Sequence, residues 1–135
     1  MRFRLIRFAC LLALGAASLA AKNLDIYVID VEGGKSVLLV SPSGQSILFD
    51  AGWPASNNRQ ASTDPIVEVV KAAGLKRIDF LVISHYDIDH LGDVGALVAK
   101  IPVGHVFDHG GSQTNSRFAA YAAVRDKIGH TVLKP

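Results

Sequence analysis

Residues 78–92 read I-D-F-L-V-I-S-H-Y-D-I-D-H-L-G, and they constrain the chain more than any other stretch. Ile78, Phe80, Leu81, Val82 and Ile83 form an apolar run of strand length, rich in β-branched and aromatic side chains, that stops at Ser84. His85, Asp87, Asp89 and His90 follow at once. A strand buried in a sheet fixes where such a loop begins, and the loop can then turn imidazoles and carboxylates around an ion. Imidazole nitrogen and carboxylate oxygen suit zinc, manganese or ferrous iron, and the motif has no thiolate of the kind that closes a structural zinc site. A polar turn that caps the next helix explains one His or one Asp, but not four donors in fixed order. The spacing offers His85 and Asp87 to one ion and Asp89 and His90 to a neighbouring one, an arrangement suited to hydrolysis.

Ser84-His85-Tyr86-Asp87-Ile88-Asp89-His90 resembles the His-x-His-x-Asp-His loop of the metallo-β-lactamase superfamily, with Asp87 in place of the second His. Some branches, among them the hydrolase domains of DNA-uptake competence proteins, carry Asp there. The exchange puts an anionic oxygen where a nitrogen would stand and shifts preference toward harder ions such as manganese. Leu48-Phe49-Asp50-Ala51-Gly52 resembles a second family segment, in which the Asp orients the ligand loop without binding metal. The resemblance implies an α/β fold, a four-layer αββα sandwich of which about half is present. It also implies a divalent cofactor, two zinc ions with manganese or iron as alternatives. His85 and Asp87 would hold the first ion and Asp89 and His90 the second, with Asp89 also serving catalysis. The family's second half brings a further His, a bridging Asp and a last His, and nothing after His90 fits those positions in order. The domain over residues 22–135 is therefore expected to be truncated at its C-terminus, with exposed sheet surface that favours self-association.

Residues 1–20 read as a signal peptide. Arg2, Arg4 and Arg7 precede an apolar run at residues 8–17, too short to span a bilayer, and Ser18 and Ala20 supply small residues before a cut after Ala20 or one residue later. Export to the periplasm or medium follows, with no stable membrane anchor after cleavage. Of 14 Lys and Arg against 12 Asp and Glu, three leave with the leader, so the basic balance belongs to the leader and signals no nucleic-acid surface. The single cysteine, Cys10, leaves too, and no disulfide can form.

Strand patterns at residues 24–31, 36–40 and 46–50, broken by Gly33-Gly34 and Pro42-Ser43-Gly44, predict an antiparallel meander. Gly33-Gly34 is a hairpin turn, since no helix follows to hold a phosphate. Residues 53–63 form a loop that borders the site or merely connects. Asp64-Pro65 predicts a helix start with Asp64 as its cap, and residues 91–100 and 116–128 predict two more helices. A short strand at residues 103–107 ends in Asp108 and His109, which face the metals or form a solvated turn; His105 is structural. The expected function is an exported metal-dependent hydrolase acting on a small-molecule or phosphodiester substrate through metal-activated water. The alternative is a non-catalytic metal-binding or interaction module on the same scaffold.

Overall fold

The computed structural model describes residues 23–134; the leader and its cleavage point lie outside them. The described elements are β1 (Asp25–Val28), β2 (Val37–Val40), β3 (Ser46–Phe49), α1 (Thr63–Ala72), β4 (Ile78–Val82), α2 (Ile88–Leu91), α3 (Val94–Lys100), β5 (Val103–Asp108), α4 (Ser116–Ile128) and β6 (His130–Val132). All six strands join one sheet in the order of the sequence. The first three pair antiparallel, as the turn residues predict, and β3 through β6 pair parallel through the helices between them.

The parallel crossovers all advance in one direction, so their right-handedness places α1, α3 and α4 on the same side of the sheet. Register shows what those helices cover. Tyr27, Leu38, Leu48, Leu81 and Val106 stand side by side across the strands, and the last four are fully buried. Each contributes about 1.5–3 kcal/mol of burial free energy. Ile66, Val67 and Val70 of α1, Val94 and Leu97 of α3, and Phe118 and Tyr121 of α4 complete this core. The opposite face carries Ile26, Leu39, Ile47 and Phe80 in one cross-strand row and Val28, Val37, Phe49, Val82 and Phe107 in the next. These residues are only half-buried, or exposed as at Val28 and Ile26. The result is a mixed α/β fold comprising one sheet and one helical layer, two of the four expected layers.

Two expectations about helices change. Asp64 does not cap α1: Ser62 holds the cap position, and its hydroxyl accepts from the Trp53 amide at 2.8 Å. The Asp64 carboxylate pairs instead with Lys100. The helix expected over residues 91–100 begins earlier and breaks in the middle, giving α2 and α3. Gly92, at φ +58°, lies so close to the Ala51 carbonyl that a Cβ would collide with it. Asp93 then restarts the chain as the α3 cap, accepting from the Ala96 amide at 2.8 Å. Asp89 and His90 consequently sit on a one-turn helix, not on open loop.

Candidate metal centre

The parallel register brings the carboxyl ends of β3, β4 and β5 together, where ligands gather in open α/β sheets. Asp50 follows β3, Ser84 and His85 follow β4, and Asp108 ends β5. Asp50 adopts φ +62°, a left-handed conformation that Asp tolerates at a cost of about 1 kcal/mol. The turn aims its fully buried carboxylate under the loop after β4. There it accepts from the Ser84 amide at 2.7 Å, the Ser84 hydroxyl at 2.8 Å and His90 Nδ1 at 2.9 Å. Lys35 Nζ, 3.8 Å away, supplies a partly exposed countercharge.

A carboxylate only accepts, so His90 must carry its proton on Nδ1 and present Nε2 as a free donor to an ion. The Ser84 hydroxyl gives its single proton to Asp50 and accepts from His85 Nδ1 at 3.0 Å, which fixes His85 in the same tautomer. The two imidazoles lie side by side, with ring centroids 3.9 Å apart. His85 Nε2 stands 3.4 Å from Asp87 Oδ2, and His90 Nε2 stands 3.5 Å from Asp89 Oδ2. Two ligands of one tetrahedral ion, each at a normal bond length, are separated by about 3.4 Å. The chemistry and the spacing of each pair therefore suit a shared cation. Among the described residues, no three His, Cys, Asp or Glu side chains converge on one point, so the donors are grouped two by two.

Backbone contacts stitch the neighbouring loops to these donors. The Ala51 amide donates to the His90 carbonyl at 2.7 Å, Lys35 to Asp89 at 3.0 Å, and Gly52 to Lys35 at 2.9 Å. Gly34 is needed for this approach, because a Cβ there would meet the Asp89 carbonyl at 2.6 Å and the Trp53 ring at 2.8 Å. The Gly33-Gly34 turn thus serves as a hairpin that abuts the ligand segment.

Asp108 does not face the donor pairs. It is fully buried, and its carboxylate accepts from the Tyr121 hydroxyl at 2.7 Å, Arg125 Nη1 at 2.6 Å and the Gly110 amide at 2.8 Å. His130 Nε2 approaches to 2.8 Å, off the line of a hydrogen bond. Burial alone would raise this carboxyl's pKa, but the contacts from Tyr121, His130, Gly110 and Arg125 outweigh burial and hold it well below the usual carboxylate range. His109 stacks on Tyr86 at 4.4 Å and accepts from the Gly111 amide at 3.2 Å, which keeps it beside the loop. Arg125 Nη1 also donates to the Tyr86 hydroxyl at 3.3 Å. Burial and the nearby Asp108 carboxylate push Tyr86 up to about 12.

Sequence reasoning assigned no role to Ser84, Lys35, Tyr86 or Arg125. Ser84 and Tyr86 lie inside the motif and were legible as its neighbours. Lys35 and Arg125 reach the site across long sequence separations, and no local pattern announces them.

An α/β sheet whose strand ends carry paired His and Asp side chains over a buried carboxylate defines the scaffold of the candidate site. The chain belongs to the metallo-beta-lactamase superfamily, whose family model matches residues 29–119. It is 42% identical over 82 residues to the competence protein ComA of Neisseria gonorrhoeae, a match that covers 61% of this chain and 11% of that protein. A solved metallo-beta-lactamase HARLDQ motif mutant from Cronobacter sakazakii is similar at 28% identity and a TM-score of 0.49, over 61% of this chain and 30% of that one. The chain thus spans a small part of the relatives it matches.

Because folding lowers the Asp108 pKa, the stability it contributes is fully present above the unfolded-state value of about 3.9 and is lost as pH falls through the folded value. Asp108→Asn is expected to cost about 3–5 kcal/mol in chemical denaturation at neutral pH. The deficit should narrow by about 1 kcal/mol near pH 3. An equal deficit at both pH values would contradict this role.

Proposed function

We propose that the chain carries the first ligand segment of an exported metal-dependent hydrolase. The observation that supports this most is the pairing of His85 with Asp87 and of His90 with Asp89, both imidazoles presenting Nε2 on the same side of the loop. A divalent cation held there would supply acidified water and polarise the scissile carbonyl or phosphoryl oxygen. Zinc is the first expectation, and the two carboxylates also suit manganese or iron.

The chain's own groups have distinct tasks. Asp50 and Ser84 hold both imidazoles in one tautomer. Asp89, partly exposed beside His90, would accept a hydrogen bond from the attacking water and orient it. Arg117 lines the depression shared with Asp87 and Asp89, and Arg59, stacked on Trp53 at 3.9 Å, lines an adjoining one with Ile88. Two guanidiniums beside the donor loop favour a substrate with an anionic group, such as a phosphodiester.

The two-by-two grouping of donors favours a second reading, a metal-binding or interaction module that does not turn over substrate. Two donors per ion leave most of each coordination shell to water or to other groups, and such ions are weakly held. The apolar open face of the sheet also favours self-association of the chain.

Metal titration and turnover of bis(p-nitrophenyl) phosphate separate the readings. The hydrolase reading expects two ions per chain and metal-dependent turnover, with kcat of a full-length version reduced by about 100-fold or more in Asp89→Asn and the melting temperature retained. Turnover that survives Asp89→Asn contradicts the assignment of Asp89, while one ion or none with no turnover supports the module. Export is checked separately: N-terminal sequencing of protein from the cell envelope or medium should begin at Ala21 or Lys22, and an intact Met1 would contradict it.

A further inference from the structure

The donor loop is held from two sides. On one side Asp50 binds His90 directly and reaches His85 through Ser84. On the other, the residue between His85 and Asp87 is Tyr86, which points the opposite way. It is only 4% exposed, and its ring lies 4.7 Å from Phe118 and 5.7 Å from Tyr121, both on α4. Its hydroxyl meets Arg125 Nη1 at 3.3 Å.

Arg125 is itself fixed, because the same Nη1 donates to buried Asp108 at 2.6 Å, and the Arg125 guanidinium faces the Phe118 and Tyr121 rings at 5.5 and 5.4 Å. Asp108 in turn is tied to the sheet as the last residue of β5 and to α4 through the Tyr121 hydroxyl. A rigid path therefore runs from β5 and α4, through Asp108 and Arg125, to the backbone between the two members of the His85–Asp87 pair. Among the described residues the Asp89–His90 pair makes no hydrogen bond to Tyr86, Arg125 or Asp108: its anchors are Asp50, the backbone bonds from Ala51 and Lys35, and the bond from the His90 amide to the Asp87 carbonyl.

We infer that Asp108 and Arg125 are positioning residues that set the His85–Asp87 donor pair through Tyr86, while Asp50 holds both imidazoles, His90 directly and His85 through Ser84. The first cation thus has a second anchor that the other does not share. Loosening Tyr86 releases the segment between His85 and the Asp87 carbonyl that starts α2, so the His85 and Asp87 side chains sample separations at which they no longer share an ion. His85 keeps its bond to Ser84, and the Asp87 carbonyl keeps its bonds from the His90 and Leu91 amides, but the Asp87 carboxylate, 69% exposed, makes no side-chain contact other than that with His85 among the described residues. This inference rests on the proposed metal site and extends it to a division of labour between its halves.

The test is calorimetric titration of the full chain with Mn²⁺ and, separately, Zn²⁺, on the parent, Tyr86→Phe, Arg125→Met and Asp50→Asn. Tyr86→Phe keeps the ring and removes only the hydroxyl, so it should fold with an unchanged apo melting temperature. The expected result is a roughly 10-fold weakening of one of two ions in Tyr86→Phe and Arg125→Met, the range for removing a group that orients a ligand, with the other ion unaffected. Asp50→Asn should weaken both ions, because it reaches His85 through Ser84 as well as His90. Histidine ring ¹⁵N spectra of the apo protein provide a readout free of metal: Tyr86→Phe should broaden or shift His85 and leave His90 in place. If the parent binds two ions and Tyr86→Phe binds both as tightly with unmoved His85 signals, the division of labour is wrong and the metal site stands. If the parent binds no ion, the metal-site reading itself fails and the inference falls with it.

Discussion

A single buried carboxylate carries the arrangement of the donor loop. Asp50 has no access to solvent, and its oxygens take the Ser84 amide, the Ser84 hydroxyl and His90 Nδ1. Removing such an acceptor would leave those donors buried and unpaired, each at a cost of about 1–3 kcal/mol. The same bonds decide which imidazole nitrogen is free, so the chemistry of the site follows from the stability of the turn. Evolution of the ligands without this acceptor would leave two histidines free to rotate.

The acceptor is in turn a product of the sheet. Parallel pairing of β3 with β4 aligns Phe49 with Val82, and the next residues of the two strands then lie within reach of each other, the Asp50 amide donating to the Val82 carbonyl at 2.9 Å. Pairing of β4 with β5 repeats the step one strand over, with Ile83 donating to Phe107 at 2.9 Å, and sets Asp108 beside the loop on its far flank. Two buried aspartates thus bracket the donors, one beneath His90 and one behind Tyr86. The helices that bury the row from Leu38 to Val106 make this end of the sheet rigid, while the apolar rows on the other face are covered by no second sheet among the described residues, which supply two of the four layers of an αββα sandwich.

Much of this was legible in the residues. The apolar run at residues 78–83 and the abrupt change at Ser84 mark the end of a buried strand, and the turn residues around Gly33 and Gly44 mark the meander. Asp50 was legible because an Asp that ends an apolar strand before a glycine stands out, and because its segment resembles one in a known family. Three things were not legible, for one physical reason: they depend on contacts between segments far apart in sequence. The break at Gly92 comes from the Ala51 carbonyl, the loss of Asp64 as a cap from Lys100, and the turning of Asp108 away from the donors from Tyr121 and Arg125 on α4. A periodicity scan sees residues 91–100 as uniformly helical, because it has no knowledge of what packs beside Gly92.

We propose that the loop after β4 is a cation-binding device. Crystals of the full chain soaked in Mn²⁺ or Zn²⁺, with data collected above and below the metal absorption edge, address it without reference to any substrate. Anomalous density is expected between His85 Nε2 and Asp87 and again between His90 Nε2 and Asp89, with His90 Nδ1 still on Asp50. Occupied crystals with no density there, or with either imidazole turned so that Nδ1 faces solvent, would contradict it.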